Sequence, residues 1–351
     1  MTTDALIDFG RRVAIVRVSE QFSARIGLRV VAVVLVLLGL TAAVAVLALG
    51  TGDYSIAPGE VLRAIFGHAS PKVELVVMKW RMPRVLLAIM LGAALGASGA
   101  VFQALTRNPL GSPDIIGFNT GAYTGALVVI LFTSGGYYQT ALGALVGGMA
   151  TAVVIYVLAF KNGVQGFRLI IVGIAISATL HSMNVWLIVK VDLAAAMSAA
   201  VWGSGSLATL DWAQVVPVTV VLAVLLPCAA LLAYRMPILD LGDDAARALG
   251  VRVEPTRLAL ILVGVGLTAL ATAAAGPIAF VSLAAPQLAR RLTRTATVAV
   301  LPAAAMGALL LVTADLLAQR AFSPTQLPVG VVTVSIGGGY FVWLLAREVR
   351  R

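Results

Sequence analysis

The sequence predicts an all-α membrane protein of about ten transmembrane helices. Of its 351 residues, 60% are hydrophobic and only 11% are charged, and the mean hydropathy is +1.01. Soluble domains are closer to half apolar and a quarter charged, so this chain lacks the polar side chains that would cover a soluble core. Because its polar stretches are all short, we expect one transmembrane domain and no separate soluble domain.

Each predicted span is an apolar run of roughly the 20 residues that a helix needs to cross the hydrocarbon core. The spans are placed near residues 28–50, 82–105, 115–133, 139–160, 168–189, 213–234, 256–274, 276–289, 298–317 and 329–346. The eighth is short and interrupted by Pro277 and Pro286, and such backbone is tolerated only where protein or a water-filled path covers it. The apolar piece from Leu193 to Trp202 is too short to cross, so we expect a re-entrant or surface helix.

The predicted domain boundaries are 1–27 for an N-terminal extension, 28–346 for the transmembrane domain and 347–351 for a tail. The extension carries several arginines and is expected to be an amphipathic helix on the membrane surface or a disordered tail. The first span is too long for a signal-peptide core, so we expect it to be retained. With the N-terminus in the cytoplasm, most of the 25 lysines and arginines fall on the cytoplasmic side, which predicts that both termini are cytoplasmic.

A compact charged loop, Leu239 to Val251, separates the sixth and seventh spans and contains Gly242 and Gly250. A protein made almost entirely of membrane helices has little soluble surface with which to meet a partner. A short structured loop of this kind is a natural docking point. It indicates a membrane channel or transporter that is driven from outside itself.

Basic residues between Arg63 and Arg84 fall on the opposite, outer side in this arrangement. Such a cluster could attract an acidic protein partner, or it could simply be solvated at a helix start, and composition leaves both readings open. The net charge of +10 is attributed to membrane orientation and not to nucleic-acid binding.

Several motifs of chemistry are absent from the sequence. It has no G-x-x-x-x-G-K-[ST] phosphate loop, no H-E-x-x-H, no C-x-x-C and no G-x-S-x-G. Its single cysteine, Cys228, can form no intramolecular disulfide. We therefore expect no enzyme, no metal site and no cofactor. Ionisable residues inside the spans are few, Asp315 among them, which argues against an ion-coupled secondary carrier.

Ser177, His181 and Asn184 recur at i, i+4 and i+7 on the fifth span and so share one helical face. This stripe could line a path for a polar solute or form hydrogen bonds between helices, and the pattern does not decide between them. Asn119 begins a weaker stripe on the third span. The glycine- and alanine-rich runs at 92–100 and 337–339 predict close helix packing.

Four ordered motifs resemble the iron-siderophore and cobalamin (FecCD-type) permease family of ABC importers. They are R-M-P-R at 81–84, R-N-P-L-G-S-P at 107–113, G-P-I-A-F at 276–280 followed by Pro286 and Arg290, and L-P-V-G-V-V-T at 327–333. The resemblance covers about residues 28–346 and, within the family, is nearest to the ferric-enterobactin permease subunits. It implies the type II importer fold, with ten spans, two permease subunits, two ATPase subunits and an outer binding protein that delivers the ferric chelate.

The resemblance also implies roles for residues at matching positions. Docking of the binding protein is assigned to Arg81, Arg84 and Arg320, the last lying one place after Gln319, where some members have a third arginine. Coupling to the ATPase is assigned to Leu241, Gly242, Asp243, Asp244, Arg247 and Gly250. The cytoplasmic gate is assigned to Asn108, Leu110, Gln165 and Gly166, and the translocation path to Ser177, His181, Asn184 and Asn119. Where the family often has a histidine after the eighth span, this chain has Gln287.

The expected function is that of a permease subunit of an ATP-driven importer, which moves ferric siderophore across the cytoplasmic (inner) membrane. The second permease subunit is expected to differ from this one, because the resemblance is to one member of a two-gene pair. Membrane lipid is the other expected partner, and nucleic acid is not. Two alternatives stay open: a permease of the same fold for cobalamin or haem, and an ion-coupled secondary carrier.

Overall fold

The computed structural model describes residues 13–19, 22–133, 135–160, 166–322 and 325–349. Over these residues the chain forms sixteen α-helices, one π-helical segment and one hairpin of two strands. In chain order they are β1 (Val13–Ser19), β2 (Phe22–Gly27), α1 (Leu28–Gly50), α2 (Pro58–Ile65), α3 (Pro71–Glu74), the π-helical segment (Leu75–Arg81), α4 (Met82–Thr106), α5 (Pro113–Ile116), α6 (Phe118–Phe132), α7 (Tyr137–Ala159), α8 (Gly166–Lys190), α9 (Leu193–Gly203), α10 (Trp212–Ala233), α11 (Met236–Asp240), α12 (Asp243–Ala248), α13 (Val253–Ala275), α14 (Val281–Thr293), α15 (Val300–Arg320) and α16 (Val329–Val349).

The hairpin corrects the expectation for the N-terminal extension. Strands β1 and β2 pair antiparallel, with Val13 opposite Gly27 and Arg17 opposite Ser23. The prediction of a surface helix or a disordered tail is wrong for residues 13–19 and 22–27, which form strands. The run V-A-I-V-R-V at 13–18 explains the difference, because β-branched side chains are stiff at χ1 and favour strands.

Each of the ten predicted spans overlaps a helix: α1, α4, α6, α7, α8, α10, α13, α14, α15 or α16. Among the described residues, seven helical stretches are long and apolar enough to cross a membrane: Leu28–Gly50, Pro71–Thr106, Tyr137–Ala159, Gly166–Lys190, Trp212–Ala233, Val253–Ala275 and Val300–Arg320. Three further apolar stretches, Phe118–Phe132, Leu193–Gly203 and Val329–Tyr340, are shorter. The chain is therefore a multi-pass, helical membrane protein, and the number of ten crossings stays a prediction.

The predicted eighth span is broken before it becomes helical. Helix α14 begins at Val281, whereas the segment 276–280 is not helical and has positive φ at its two ends, 74° at Gly276 and 68° at Phe280. Protein covers this segment, since Gly205 and Gly330 pack against Pro277. The break therefore lies inside the bundle, as irregular backbone in a membrane protein must.

Helix α4 is the centre of the bundle and packs against α13, α14 and α15. Gly92 and Gly96 lie directly against the backbone of Gly307 and Ala303 on α15, with no room for a β-carbon. The predicted close packing of the 92–100 run is thus confirmed. In the run 337–339, Gly337 packs on Phe280, whereas a β-carbon on Gly338 or Gly339 would meet no atom within 4 Å.

The two ends of the bundle carry different chemistry. Helix α4 has 25 residues and so extends for about 37 Å. Its first turn holds Arg84, and we name the end where Arg84 meets Asp315 the Arg84 end. Its last turn leads to Arg107, and we name the end where Arg107 meets Asp243 the Asp243 end.

Candidate functional site

The loop between α10 and α13 at the Asp243 end is built from two short helices, α11 and α12. Gly242 and Gly250 bound α12 with φ of 107° and 81°, a region that favours glycine because it has no β-carbon. The inner side of the loop is apolar and buried, with Met236, Leu239 and Ala246 at most 4% exposed. The loop is therefore a fixed structure seated on the bundle and not a flexible tether.

Asp243 and Asp244 point in opposite directions. The Asp243 carboxylate accepts two hydrogen bonds from Arg257, at 2.9 and 2.6 Å, and one from Arg107 at 3.0 Å. The Asp244 side chain is fully exposed and pairs with Arg247, one turn along α12, at 3.0 Å. Burial raises the pKa of the Asp243 carboxyl, but the hydrogen bonds and charges of Arg257 and Arg107 outweigh it and hold that pKa below its ordinary value. Asp243 is thus a carboxylate at neutral pH.

The predicted gate residues lie at the same end of the bundle. Asn108 Oδ1 accepts a hydrogen bond from the Leu110 backbone N–H at 2.9 Å, which closes the turn after α4. Gly166, at the start of α8, packs against the Thr106 backbone. Gln165 lies outside the described residues. These contacts bring the end of α4 and the start of α8 together, and the gate role of these residues stays a prediction.

Gln287 has a contact that explains its fit at a position where histidine is common. Its side-chain Nε2 donates to the Pro109 carbonyl at 2.8 Å, so that α14 holds the α4–α5 loop. Gln103 on α4 makes a similar bond to the Leu283 carbonyl at 3.0 Å. A neutral amide performs this work without any titration.

Two polar cavities open on either side of Arg107. One, of about 350 Å³, is lined by Leu105, Thr106, Arg107, Gly166, Phe167, Asp243 and Arg257. The other, of about 170 Å³, is lined by Gln103, Ala104, Arg107, Asn108, Pro109, Asp240, Arg290, Ala296, Thr297 and Val298. Burial raises the pKa of Asp240, and the charges of Arg107 and Arg290 oppose that rise. Arg107 therefore lies between the predicted gate residues and the charged loop from Leu239 to Val251, which we name the docking loop after its predicted role.

The path residues predicted on α8 do not share one environment. Ser177 Oγ and Thr120 Oγ1 are 2.9 Å apart and bond α8 to α6. His181 is exposed, whereas Asn184 is only 1% exposed and neither of its side-chain amide atoms has a hydrogen-bond partner among the residues that the structure describes. The stripe therefore includes a helix contact, an outward imidazole and a buried amide, and not a single continuous lining.

Asn119 belongs to a buried network that sequence reasoning missed. Its Nδ2 donates to Asp114 Oδ1 at 2.7 Å, and its Oδ1 accepts from Thr272 Oγ1 at 2.9 Å. The second Asp114 oxygen accepts from Ser282 Oγ at 2.6 Å and from the Phe280 backbone N–H at 3.1 Å. These bonds connect α5, α6, α13 and the broken start of α14. The available signal was a lone aspartate between two apolar spans, in the run N-P-L-G-S-P-D.

The Asp114 residue is partly exposed, but its carboxylate is surrounded by protein atoms. Burial raises the pKa of this carboxyl to about 6, and the three donors from Ser282, Phe280 and Asn119 limit the rise. Its geometry is that of an acceptor for three fixed donors. We interpret Asp114 as the centre of a structural joint.

At the Arg84 end, Arg84 is engaged inside the protein. Its Nε and Nη2 atoms bind the Asp315 carboxylate at 2.9–3.1 Å, and its Nη1 donates to Gln326 Oε1 at 2.8 Å. Gln319 Nε2 adds a bond to Asp315 Oδ2 at 2.9 Å. The Arg84 side chain is 13% exposed and that of Asp315 is 1% exposed. The charge on α15 is thus neutralised by the arginine that the family resemblance assigned to docking.

Arg81 is also held by internal contacts, whereas Arg320 is exposed. The Arg81 guanidinium donates to the carbonyls of Leu49 at 2.8 Å and Tyr54 at 2.6 Å, which fixes the end of α1. Arg320 lies on the surface of the last turn of α15. Between α1 and α4, the exposed cations are Arg63, Lys72 and Lys79, and Lys190 is exposed at the last residue of α8. The basic surface at the Arg84 end therefore includes these four side chains and Arg320.

A solved structure with the same fold identifies the class of protein to which this helical bundle and its charged loop belong. The chain matches, with a TM-score of 0.81 and 29% identity, a structure described as an inward-facing conformation of a metal-chelate type ABC transporter. The match covers 90% of this chain and 99% of that one. The fold is that of an ABC transporter permease, which confirms the predicted fold class apart from the number of crossings.

The chain belongs to the FecCD transport family, whose model matches residues 40–347. It is 50% identical over 303 residues to the ferric enterobactin transport system permease protein FepG of Escherichia coli K12, covering 86% of this chain and 92% of that protein. It is 36% identical over 310 residues to the iron(3+)-hydroxamate import system permease protein FhuG of Bacillus subtilis 168, covering 86% and 92%. These findings confirm the predicted family, and they confirm that the chain is a transport permease and not an enzyme.

Proposed function

We propose that this chain is a transmembrane permease subunit of an ATP-driven importer that moves ferric siderophore across the cytoplasmic membrane. The observation that carries the proposal is the 50% identity to a ferric enterobactin permease over most of both chains. The sequence has no phosphate loop, so ATP hydrolysis is assigned to two separate ATPase subunits. The permease supplies the element with two states, and ATP binding shifts its equilibrium.

The face of the docking loop that points away from the bundle is the proposed surface for the ATPase. Leu241 and Leu249 are 67% and 62% exposed, and Asp244 and Arg247 lie exposed between them. Apolar side chains rimmed by charge are typical of protein–protein contacts. We assign Leu241, Asp244, Arg247 and Gly250 to this contact.

The orientation of the chain follows from this assignment. If the docking loop meets an ATPase, the Asp243 end lies in the cytoplasm and both termini are cytoplasmic, with ten crossings. The distribution of lysine and arginine supports the same orientation. The Arg84 end then faces outward, where the binding protein delivers its ligand.

A second permease subunit is proposed to pack on the exposed helices. Helices α8 and α10 are strongly apolar, yet only 17% and 22% of their most apolar windows are buried within this chain. Lipid and a partner permease are the two surfaces that can cover them. A partner on α8 would place the translocation path between the subunits, where His181 is the exposed member of the stripe that could line it.

The substrate is tested by uptake into cells that lack this importer and regain it with or without this chain. We expect uptake of radiolabelled ferric enterobactin to require the chain, to survive collapse of the proton gradient and to stop when ATP is depleted. Cobalamin and haem are the matched competitors. Restored uptake of cobalamin or haem without uptake of any ferric siderophore would overturn the substrate, and uptake driven by the proton gradient would overturn the class.

Arg320 provides the sharpest test of docking at the Arg84 end. Because Arg320 is exposed, Arg320→Glu should leave the fold intact and weaken binding of an acidic partner. We expect uptake at limiting binding protein to fall about fivefold to tenfold, which corresponds to roughly 1 kcal/mol. The measurement is initial uptake rate against binding-protein concentration in proteoliposomes.

The control for Arg320→Glu is Arg252→Glu, the same charge change at an exposed position at the Asp243 end. It should leave the dependence on binding protein unchanged. Equal rates for Arg320→Glu and the unmodified chain at every concentration would remove Arg320 from the docking surface.

A further inference from the structure

We infer that Asp243 is a positioning residue that joins the docking loop to the gate, while its neighbour Asp244 belongs to the surface that the ATPase contacts. The inference rests on the proposed function and divides two residues that the family resemblance placed in one contact set. It assigns to Asp243 the transmission of loop movement and not the binding of a partner.

The first step is the geometry around the Asp243 carboxylate. Both of its oxygens bind Arg257, whose side chain is 8% exposed and which stands in the second turn of α13. One oxygen also binds Arg107, the residue that ends α4. The two-point contact with a planar guanidinium fixes direction as well as distance. Asp243 thus ties the start of α12 to two of the central helices.

The second step is the position of Arg107 in the chain. Arg107 directly precedes Asn108, the first residue of the predicted gate loop. Its guanidinium also donates to the Leu239 carbonyl at 2.6 Å, so it holds α11 as well as α12. A movement of the docking loop therefore reaches the gate loop through one side chain.

The start of α8, the second segment of the predicted gate, also lies close to Asp243. The cavity of about 350 Å³ beside Asp243 is lined by Arg257 and also by Gly166 and Phe167, where α8 begins. Asp243 accordingly lies between the docking loop and both segments of the predicted gate. Among the described residues of α12, Ala246 is the buried one.

Asp244 provides the contrast within the same sequence pair. Its side chain is fully exposed, and within the described part of the chain it pairs only with exposed Arg247 on the same short helix. Such a surface pair contributes little to stability. The exposed Asp244 carboxylate is accessible to a partner protein, whereas the Asp243 carboxylate is bound by Arg257 and Arg107.

The test compares Asp243→Asn with Asp244→Lys in the complete importer reconstituted in proteoliposomes. For Asp243→Asn we expect the ATPase to co-purify as with the unmodified chain and to hydrolyse ATP within about twofold of it, while siderophore uptake per ATP falls at least about fivefold. For Asp244→Lys we expect the opposite: less co-purified ATPase, and unchanged uptake per ATP in the complexes that remain. Loss of ATPase from Asp243→Asn, or unchanged uptake per ATP, would overturn the inference.

A second variant covers poor folding of Asp243→Asn. Arg107→Gln removes the link to the gate loop and leaves the pair of Asp243 with Arg257 intact. We expect it to lower uptake per ATP by at least a similar factor, since it also removes the bond to the Leu239 carbonyl. The double variant should be no worse than Arg107→Gln alone, because Asp243 acts through Arg107. Additive losses, or normal coupling in Arg107→Gln, would contradict the link.

A readout that does not depend on the substrate separates this inference from the proposed function. With Cys228→Ser removing the one native cysteine, Pro109→Cys reports exposure of the gate loop to a thiol reagent. ATP should change the labelling rate in the otherwise unmodified chain and not in the Asp243→Asn chain. An importer that shows this difference but takes up no ferric siderophore would refute the proposed substrate alone. Equal ATP responses in the two chains would refute the link.

Discussion

Replacing Asp114 with alanine should unfold part of the bundle and abolish uptake. The carboxylate accepts hydrogen bonds from Ser282, Phe280 and Asn119, and alanine would leave all three donors without it. A buried donor without an acceptor costs about 1–3 kcal/mol, so the expected loss is several kcal/mol. The measurements are the thermal unfolding midpoint of the purified chain in detergent and uptake by a deletion strain that expresses it.

Asparagine at position 114 should be milder than alanine. Its amide keeps one oxygen for the Phe280 N–H and Ser282, and its NH₂ group can donate to Asn119 if that amide turns over. Thr272 can then accept from Asn119, because a hydroxyl both donates and accepts. We expect the order of stability to be aspartate, asparagine, alanine, with uptake following the same order.

The control is Asp192→Ala, which removes an exposed aspartate that caps α9 through the Ala195 N–H. Loss of such a cap costs about 1 kcal/mol. If Asp114→Ala were no less stable than Asp192→Ala, the Asp114 network would not be the joint that we describe.

The Asp114 carboxyl gives the unmodified chain a pH-dependent stability, and the direction of its pKa shift sets the sign. The pKa of Asp114 is about 6 in the folded chain, above the value of 3.8 expected when unfolded. Stability from this group is therefore fully present below about pH 4 and is lost as the pH rises through about 6. The unmodified chain should gain more stability between pH 7 and pH 5 than Asp114→Asn does. An equal gain in both would show that Asp114 does not titrate there.

Arg84→Glu should prevent accumulation of folded permease and not merely weaken docking. It would place a second carboxylate against Asp315, which is 1% exposed and lies on α15. Removing one partner of a buried ion pair costs about 3–5 kcal/mol, and a like charge adds to that. The measurement is the yield of monodisperse chain after extraction, together with its thermal unfolding midpoint.

Two variants show whether the ion pair is responsible. Arg84→Lys keeps the charge but not the two-point contact, so it should be intermediate in stability. Arg320→Glu, the same reversal at an exposed position of the same end, should be as stable as the unmodified chain. Equal yields for Arg84→Glu and Arg320→Glu would contradict the structural role of the pair.

This expectation changes how the family arginines are tested. Loss of uptake in Arg84→Glu could result either from weaker docking of the binding protein or from misfolding. The Arg84 guanidinium holds α4 against Asp315 on α15 and against Gln326, so its loss also affects the fold. Arg320 separates the two causes. The docking role of Arg81 and Arg84 stays a prediction, and their internal contacts leave Arg320 as the more direct test.

The helices were predictable because their signal is local. A run of apolar residues of membrane length specifies a helix regardless of its neighbours, and every predicted span overlaps one. The two glycines of the charged loop are explained locally as well, since Gly242 and Gly250 both adopt the positive φ that favours glycine. Strands β1 and β2 are harder to predict, because their β-branched residues favour strands whereas the arginines among them favour a membrane surface.

Hydropathy and motifs were enough to identify the class of this protein, a multi-pass permease of the FecCD family with a charged loop between α10 and α13. The direction of individual side chains depends on the tertiary structure. Asp243 and Asp244 are adjacent in the chain, yet one is bound by Arg257 and the other is exposed. Composition and period report where a helix lies, whereas a hydrogen bond needs two groups that the chain brings together from distant positions. Asp114 with Ser282, and Arg84 with Asp315, are such pairs.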